Sequence, residues 1–590
     1  MRFVWAVAAF VLAAVMIGAG IAQRTVFQGP KTESQAIEVT GDAPYVLIDG
    51  SVLNSHDGAQ TLRVQDSGSI FAAYGRTADL QDWLTKADYT SITLDGGALT
   101  SDTVAASVPL ADGESPITPQ GSDLWLDEFQ QDDVLITPLQ LPSDMSLLVA
   151  TDGVDPAPHS LSLTWPVENA TPWAGPLIVG GSLLLAGGIL LYLLGVRHAR
   201  RSRGPRRKGL PVAVTEPIDL AVEGEDKGVI SAAPTRKQLT RGKRAFAAVP
   251  VVAVSALMFA GCSADAWPQL GASASPSPSQ TVVAPKDQES PVVTQAQAER
   301  IVSRIGDDVA SADEARDATA AATRLDGTAL AARETNYRLL ASVPDHKPLS
   351  AIPTGALQVI LPEANDGWPR TFFAVAPAVG DGAATVMSVT QQDAWAPYKL
   401  TYIAALTSDT DLNLAPAYVG AIPIAADSPF LAIAPEDLAS AYADVLTNGA
   451  DSQFASLFDT ADDAFQKQLD QSRADRLAAF NQTGATTGTM TFSAEPGTSE
   501  PVALATLDSG AIVAVTVNDL DNVTPTTTDA VIKADGNPVV QTLTGVSQSS
   551  TGFSTTYGNQ LFFFVPSQSS KERIQLLGYS SDILDAKVIG

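Results

Sequence analysis

The chain has 590 residues and a formal net charge of −29, from 36 Lys and Arg residues against 65 Asp and Glu residues. A chain of this length predicts about three to five domains, and its acidic surface excludes nucleic acid as a partner because it repels phosphate backbones. The single cysteine, Cys262, excludes an intramolecular disulfide, so any domain outside the cell must be stable through its core alone.

The first element is an apolar segment over residues 1–22. No charge interrupts the stretch from Phe3 to Ala22, which as a helix is about 30 Å long and matches the hydrocarbon core of a bilayer. A transmembrane anchor and a signal peptide cut after the small residues near Ala22 both fit this pattern. We favour the anchor, because Arg2 is the only basic residue before the run and the run is long for a signal peptide.

The second apolar segment, residues 173–196, predicts a transmembrane helix. Trp173 and Tyr192 lie near its ends, where aromatic rings favour the membrane interface. Residues 197–244 follow with thirteen Lys or Arg against five Asp or Glu, a net charge of +8, which leaves −37 for the rest of the chain. Basic runs beside a span stay in the cytoplasm. The sequence therefore predicts a cytoplasmic loop at 197–244 and an extracytoplasmic domain at 23–172.

The third apolar segment, residues 245–262, ends in Phe259-Ala-Gly-Cys262 and precedes a Ser/Pro-rich linker at 263–291. This ending resembles the lipobox of bacterial lipoproteins, although Phe259 stands where that motif usually has Leu. The resemblance implies a diacylglycerol on Cys262 and cleavage after Gly261, which would divide the chain into a two-span protein and a lipoprotein. The alternative is a third span that keeps both outer domains on one chain.

Residues 23–172 predict an all-β domain. Short runs of alternating or β-branched residues, such as "PYVLIDGSVLN", are separated by Gly, Asp and Asn turns, a pattern typical of a sandwich or jelly roll. One helix is predicted within "TADLQDWLTKA", with Trp83 and Leu84 in the core.

Residues 292–434 and 435–590 each predict helices followed by strands, so an α+β unit is repeated in tandem. Thr294 and Gln297 have the spacing of a capping box, and Pro435 fits the first turn of a helix. This order of elements resembles the cone-shaped NTF2-like superfamily, and pieces such as "LDGTALAARETNYRLL" resemble uncharacterised envelope lipoproteins of high-GC Gram-positive bacteria. The resemblance implies two cones and brings no catalytic residue with it.

The sequence predicts no metal site, no cofactor and no catalytic residue. Its four histidines are far apart and lack metal-ligand spacing, and no G-x-S-x-G motif accompanies them. Asp409-Thr-Asp411 and Asp519-Leu-Asp521 have the D-x-D spacing of nucleotide-sugar transferases, but we interpret them as solvated carboxylates in turns.

Aromatic residues in the predicted C-terminal strands are the candidate ligand-binding residues. They are expected either to line the concave face of a cone or to belong to its ordinary core, and they are Trp368, Phe372, Phe373, Phe562 and Phe564.

These features predict a protein of the cell membrane, partnered by membrane lipid, whose outer domains lie on the extracytoplasmic face. We expect the C-terminal half to be a binding or scaffold module for an unspecified small molecule rather than an enzyme. Two alternatives stay open: an enzyme of envelope glycan or lipid metabolism that uses carboxylates of the C-terminal cone, and an assembly partner of other envelope proteins in a membrane complex.

Overall fold

A computed structural model describes two long parts of the chain, 2–201 and 291–590. Short gaps within them lie at 28–29, 31, 57, 111–112, 114, 168–172, 379, 381 and 408–411. Most of the predicted basic loop, the third apolar segment with Gly261 and Cys262, and the Ser/Pro linker lie outside the described residues. The chain divides into two compact units, Met1–Glu33 with Trp165–Gln280, and Ser34–Thr164 with Thr281–Gly590.

The helices and strands of the described residues are numbered in chain order. The helices are α1 Arg2–Thr25, α2 Gly50–Leu53, α3 Thr77–Trp83, α4 Ala174–Arg201, α5 Gln295–Ala315, α6 Ala318–Ala321, α7 Gly327–Ser342, α8 Pro435–Asn448, α9 Ala464–Thr483 and α10 Pro538–Thr544. The strands are β1 Thr32–Glu38, β2 Tyr45–Ile48, β3 Gln60–Arg76, β4 Tyr89–Asp95, β5 Ala98–Val104, β6 Asp127–Leu139, β7 Met145–Ala150, β8 Ser160–Pro166, β9 Val359–Pro362, β10 Arg370–Ala376, β11 Thr385–Gln391, β12 Lys399–Leu406, β13 Gly488–Pro496, β14 Val502–Ala505, β15 Ala511–Pro525, β16 Ile532–Lys533, β17 Gln548–Ser549, β18 Phe553–Val565 and β19 Gln575–Val588.

Helices α1 and α4 are long and apolar enough to cross a membrane. The stretches Phe3–Thr25 and Ala174–His198 have 23 and 25 residues and mean hydropathies of 2.4 and 2.3. They contain the first two apolar segments of the sequence, so the helical character predicted for both segments is confirmed.

The two apolar helices pack as an antiparallel pair along a seam of small residues. The buried seam residues recur every seven positions and are Ala6, Ala13 and Gly20 in α1 and Ala174, Gly181, Gly188 and Gly195 in α4. A Cβ atom at Gly181 would lie 2.7 Å from Ile17, and one at Gly195 would lie 3.1 Å from Phe3. A seven-residue repeat keeps one seam facing the partner helix, and small side chains let the two backbones approach closely.

This packing predicts a cross-link that requires α1 to remain in the mature protein. A Cβ atom built on Gly188 lies 3.4 Å from the Cβ atom of Ala9, close to the separation of about 3.8 Å in a disulfide. In a Cys262→Ser background, Ala9→Cys with Gly188→Cys is expected to oxidise to an intramolecular disulfide. After cleavage at an introduced protease site between α1 and α4, the fragments should stay joined on a non-reducing gel.

Val11→Cys with Gly188→Cys is the matched control for this cross-link, because Val11 is 59% exposed. That pair should give no joined fragments. Failure of the Ala9 pair to cross-link, together with loss of an N-terminal tag from the mature chain, would show that α1 is removed as a signal peptide.

The β-rich character predicted for the N-terminal domain is confirmed, and hydrogen bonds join its eight strands into one network. The eight strands run in the order β1-β8-β3-β7-β2-β4-β5, with β6 also paired to β3. Strand β3 is 17 residues long and pairs with β8 through Thr61–Gln65 and with β7 through Phe71–Arg76. A register shift between Gln65 and Ser69 separates these two parts of β3. One long strand thus has different neighbours along its two parts.

The predicted helix in the N-terminal domain is confirmed as α3, and Trp83 and Leu84 lie in the core. The ring of Trp83 packs edge-on against Tyr45 and Trp125, with ring centroids 5.3 and 5.2 Å apart. This aromatic cluster fixes α3 against the sheet.

The C-terminal domain has the predicted order of helices and then strands, twice, but its two halves share one antiparallel sheet. The nine strands run β13-β15-β18-β19-β12-β11-β10-β9, with β14 also paired to β15. The halves join where Ala405 and Leu406 of β12 pair with Tyr579 and Gly578 of β19. The α+β prediction therefore holds, and the strands of the two halves are joined into one sheet through this pairing.

Local signals in the C-terminal sequence act as predicted. Thr294 and Gln297 form a capping box at the start of α5, and Pro435 opens α8. Each half also has its own apolar core, one containing Phe372 and the other Phe563.

Candidate functional site

A candidate site in the described residues is a cavity of about 480 Å³ in the second half of the C-terminal domain, here named the Asp521 cavity. It lies among α9, α10 and strands β13, β15, β16, β18 and β19. Its wall combines apolar side chains such as Phe480, Met490 and Phe553 with the polar groups of Arg476 and Asp521. Both its size and this mixture are typical of small-molecule sites, which span about 300–1,000 Å³.

Two carboxylates and two guanidinium groups form an ion-pair network beside the cavity. Asp519 and Asp521 share one face of β15 because strand side chains alternate, and Arg473 and Arg476 share one face of α9 because residues three apart are neighbours on a helix. Arg473 Nε lies 3.1 Å from Asp519 Oδ1, and its Nη2 contacts the same oxygen. Arg476 joins both carboxylates, with Nη2 3.1 Å from Asp519 Oδ2 and Nε 3.0 Å from Asp521 Oδ2.

Aromatic rings and a backbone carbonyl hold the two arginines in place. The guanidinium carbons of Arg473 and Arg476 lie 5.7 and 5.6 Å from the centre of the Phe492 ring, within cation–π range. Arg476 also lies 5.0 Å from the Tyr557 ring, and Arg473 Nη1 donates to the Leu446 carbonyl at 2.6 Å. The network is therefore rigidly supported.

The interpretation of Asp519 and Asp521 as solvated turn residues is wrong. Both lie within β15, and their exposed fractions are 0% and 5%. Two aspartates close together in a sequence are typical of a solvated turn when no positive partner is nearby. Here the arginine partners lie on a helix some forty positions earlier, so the pairing is not visible in the local sequence. Asp409 and Asp411, the other D-x-D pair, lie outside the described residues.

Asp521 is the titratable group of the cavity. Burial raises the pKa of its carboxyl from 3.8 to about 6, and the charge of Asp519 adds to the rise while Arg476 and Arg473 oppose it. Its Oδ1 atom has no hydrogen-bond partner among the described residues. Burial also raises the pKa of the Tyr557 hydroxyl, which therefore stays protonated at neutral pH. The cavity thus contains a carboxyl that changes charge under mildly acidic conditions.

The raised pKa predicts a stability that falls with rising pH. Because the folded pKa of Asp521 exceeds the unfolded value, its stabilising contribution is complete below about pH 4 and is lost as the pH rises through about 6. From about pH 4 to pH 7, the wild-type free energy of unfolding is expected to fall by about 2 kcal/mol because of this carboxyl. Asp521→Asn, which has no carboxyl at this position, is expected not to show this fall. Urea unfolding at both pH values measures this difference, with exposed Asp585→Asn as the control. Parallel pH profiles for wild type and Asp521→Asn would contradict it.

The aromatic residues proposed from sequence lie elsewhere. Phe372, Phe373, Phe562 and Phe564 are buried in core clusters, and Phe373 packs edge-on against Phe562 with centroids 5.7 Å apart. Trp368 is half-buried and its indole nitrogen donates to Asp82 in the N-terminal domain at 3.1 Å. None of the five lines the Asp521 cavity, so a ligand-binding role for them stays a prediction.

A signal for the ion-pair network beside the Asp521 cavity was present in the sequence. Arg473 and Arg476 have the i, i+3 spacing of one helix face. Asp519 and Asp521 have the i, i+2 spacing of one strand face, so the two side chains of each pair point in the same direction. Sequence reasoning missed that the two faces meet.

Among the described residues, no group of three or more His, Cys, Asp or Glu side chains is arranged to hold a metal ion.

Comparison with known proteins gives one match. Residues 289–588, just over half of the chain, match a family model described as a domain of unknown function (DUF8094). No curated protein and no solved structure matches the chain. The match covers the C-terminal domain with the Asp521 cavity and leaves out the N-terminal β-domain. The chain therefore belongs to the DUF8094 family.

Proposed function

We propose that this chain is an envelope membrane protein whose C-terminal domain binds an uncharged amphipathic small molecule in the Asp521 cavity. One observation carries the proposal: a cavity of about 480 Å³ with apolar walls contains a carboxyl whose side chain is only 7% exposed and whose Oδ1 atom is unpartnered. A buried polar atom without a partner costs free energy. A ligand hydroxyl or amide that pairs with Asp521 would recover that cost.

The charges around the cavity favour a ligand without net charge. Arg473 and Arg476 balance Asp519 and Asp521 within the network. Exposed Lys533 and Asp535 of the cavity wall also carry opposite charges. A charged head group would therefore find no excess of opposite charge, whereas an apolar chain would contact Phe480, Met490 and Phe553.

The proposed location follows from the membrane segments. The helix pair α1–α4 anchors the chain, and the basic residues that begin with Arg197 keep the carboxyl end of α4 in the cytoplasm. The β-domain between the helices is then extracytoplasmic. A lipid on Cys262 after cleavage behind Gly261, as the resemblance to a lipobox implies, would hold the C-terminal domain on the same face. The NTF2-like assignment of that domain is likewise part of this proposal.

The binding function is tested with three probes of equal chain length, octanol, octylamine and octanoate, on the full chain in lipid nanodiscs. Ala479 is exposed and lies in the cavity wall, so Ala479→Trp should obstruct the cavity, whereas Ala478→Trp, one residue earlier, adds the same ring outside it. Saturable octanol binding, measured by calorimetry, is expected in wild type and Ala478→Trp and at least about tenfold weaker in Ala479→Trp. Octylamine and octanoate should bind more weakly than octanol.

The heat of probe uptake by the nanodisc lipid is the same in the two tryptophan variants, so it cancels when their binding heats are compared. Equal heats in Ala478→Trp and Ala479→Trp for all three probes would show that the cavity does not bind amphipathic molecules. Preference for octylamine or octanoate over octanol would overturn the assignment of an uncharged head group.

The raised pKa of Asp521 also supports the second candidate function, an enzyme of envelope glycan or lipid metabolism, because perturbed carboxyls in cavities are common in active sites. Glycoside hydrolysis needs two carboxyl groups that are available to the substrate. Asp519 is paired with both arginines and is fully buried, so it does not supply the second one. The geometry therefore favours binding over catalysis.

A further inference from the structure

Two buried carboxylates of the N-terminal β-domain form ion pairs with arginines of the C-terminal domain. The Asp123 side chain is 0% exposed and accepts from Arg324 Nη1 at 2.6 Å and from Arg304 Nη1 at 3.2 Å. It also accepts the backbone N–H of Tyr398 at 2.9 Å. The C-terminal domain thus provides three donors for this one carboxylate.

The second carboxylate, Asp79 at the start of α3, has a similar environment. It lies 2.7 Å from Arg370 Nη1 of the C-terminal domain and 2.8 Å from Arg76 Nε of its own domain, and its side chain is 5% exposed. Arg370 is fully buried, donates to the carbonyls of Asp366 and Gly367, and stacks 3.9 Å from the Trp368 ring centre. The arginine is therefore held in position to receive Asp79.

Further polar contacts extend this surface. Trp395 of the C-terminal domain donates from its indole nitrogen to the Trp83 carbonyl at 2.9 Å, and the Lys86 ammonium of the β-domain lies 4.2 Å from the Trp395 ring centre. Gln297 and Arg300 of α5 donate to the carbonyls of Asp123 and Trp125 at 2.8 and 2.6 Å. The β-domain is therefore recognised through its backbone as well as through the buried carboxylates of Asp79 and Asp123.

Separation of the two domains would expose the buried Asp79 and Asp123 carboxylates and their arginine partners to water. It would also expose Trp83 and its aromatic cluster. Removing one partner from a buried, hydrogen-bonded charge pair speeds dissociation strongly. The three arginines that bind Asp79 and Asp123 from the C-terminal domain, Arg304, Arg324 and Arg370, lie within the matched region 289–588, whereas the two carboxylates lie outside it. One weaker pair runs the other way, from Arg76 Nη1 of the β-domain to exposed Asp366 at 3.4 Å. The family domain therefore carries the basic, donor-rich side of the contact.

We propose that the basic side of this contact is a docking surface of the DUF8094 domain, and that its partner is an exported β-domain with an acidic, tryptophan-containing surface. In this protein the partner is residues 34–164. The association does not depend on the peptide connection between them. If the chain is cut before Cys262, the two products remain one complex.

The test uses the full chain in nanodiscs, with a protease site introduced within residues 271–290 and a tag at the N-terminus. After cleavage, the C-terminal fragment should be retained with the tagged, membrane-embedded fragment during affinity purification. With Asp79→Asn and Asp123→Asn combined, it should dissociate at least about thirtyfold faster. Asp102→Asn, an exposed position on β5, is the matched control and should dissociate at the wild-type rate.

A milder variant keeps the test informative if the double variant folds poorly. Trp395→Phe removes the hydrogen bond to the Trp83 carbonyl but keeps an aromatic ring for Lys86, and it should speed dissociation by about two- to tenfold. Circular dichroism of the released fragment reports whether it is folded. Immediate release of a folded wild-type fragment, or equal dissociation rates for wild type and the aspartate variants, would overturn the proposal. Neither outcome depends on ligand binding in the Asp521 cavity.

Discussion

Cys262→Ala is expected to abolish both lipid attachment and the appearance of a C-terminal fragment in the native host. The lipid of a bacterial lipoprotein is held by a thioether, and Cys262 is the only cysteine in the chain, so the methyl side chain of Ala leaves no sulfur to form that bond. Immunoblots with tags at both ends, together with metabolic labelling by a lipid analogue, measure both effects. Wild type should show a labelled C-terminal fragment of about half the full size, and Cys262→Ala only an unlabelled full-length band.

Two comparisons make this result specific. Ser263→Ala, next to the cysteine, should keep the wild-type pattern, because it leaves the sulfur in place. A single unlabelled full-length band in wild type would contradict the lipoprotein assignment and favour a third span. If a fragment does form, the docking surface predicts that it is recovered with the N-terminal half even after detergent has removed the lipid bilayer.

Asp519→Ala is expected to lower the free energy of unfolding of the C-terminal domain by about 3–5 kcal/mol. Asp519 is 0% exposed and is the common partner of Arg473 and Arg476, so its loss leaves two guanidinium groups with only Asp521 to balance them. Uncompensated buried charge is costly because it has been removed from water. Urea unfolding followed by circular dichroism measures the change.

Asp529→Ala provides the control for this variant, since Asp529 is exposed and lies in the same half of the domain. Its free energy of unfolding should stay within about 0.5 kcal/mol of the wild-type value. If Asp519→Ala were no less stable than Asp529→Ala, the network would contribute little to the fold. The Asp521 cavity would then lack the rigid polar wall that the proposed binding function requires.

Features that depend on neighbouring residues were predicted well from the sequence. The capping box at Thr294 and Gln297 and the proline at the start of α8 are recognised within one turn of helix. The two apolar helices and the order of helices and strands in the C-terminal half follow from hydrophobic periodicity over a few turns. Each of these signals reports on contacts made within one short stretch of chain.

Features that depend on distant pairing were not predictable in the same way. The strand network of the N-terminal domain depends on the change of partner along β3 on either side of the register shift between Gln65 and Ser69, and the shared C-terminal sheet depends on the pairing of β12 with β19. A strand edge offers the same N–H and C=O groups to any partner, so the sequence of a strand does not specify which other strand it pairs with.

The sequence by itself determined the helices that suit a membrane, the β-rich and α+β characters of the N-terminal and C-terminal domains, and the basic segment between them. Only the tertiary structure decided that Asp519 and Asp521 meet two arginines of α9 beside a cavity, and that the buried Asp79 and Asp123 carboxylates form ion pairs with arginines of the other domain. The physical reason is that a charged residue looks solvated in a sequence whenever its partner lies far along the chain. Burial brings such partners together, and the free-energy cost of leaving them unpaired then fixes the geometry.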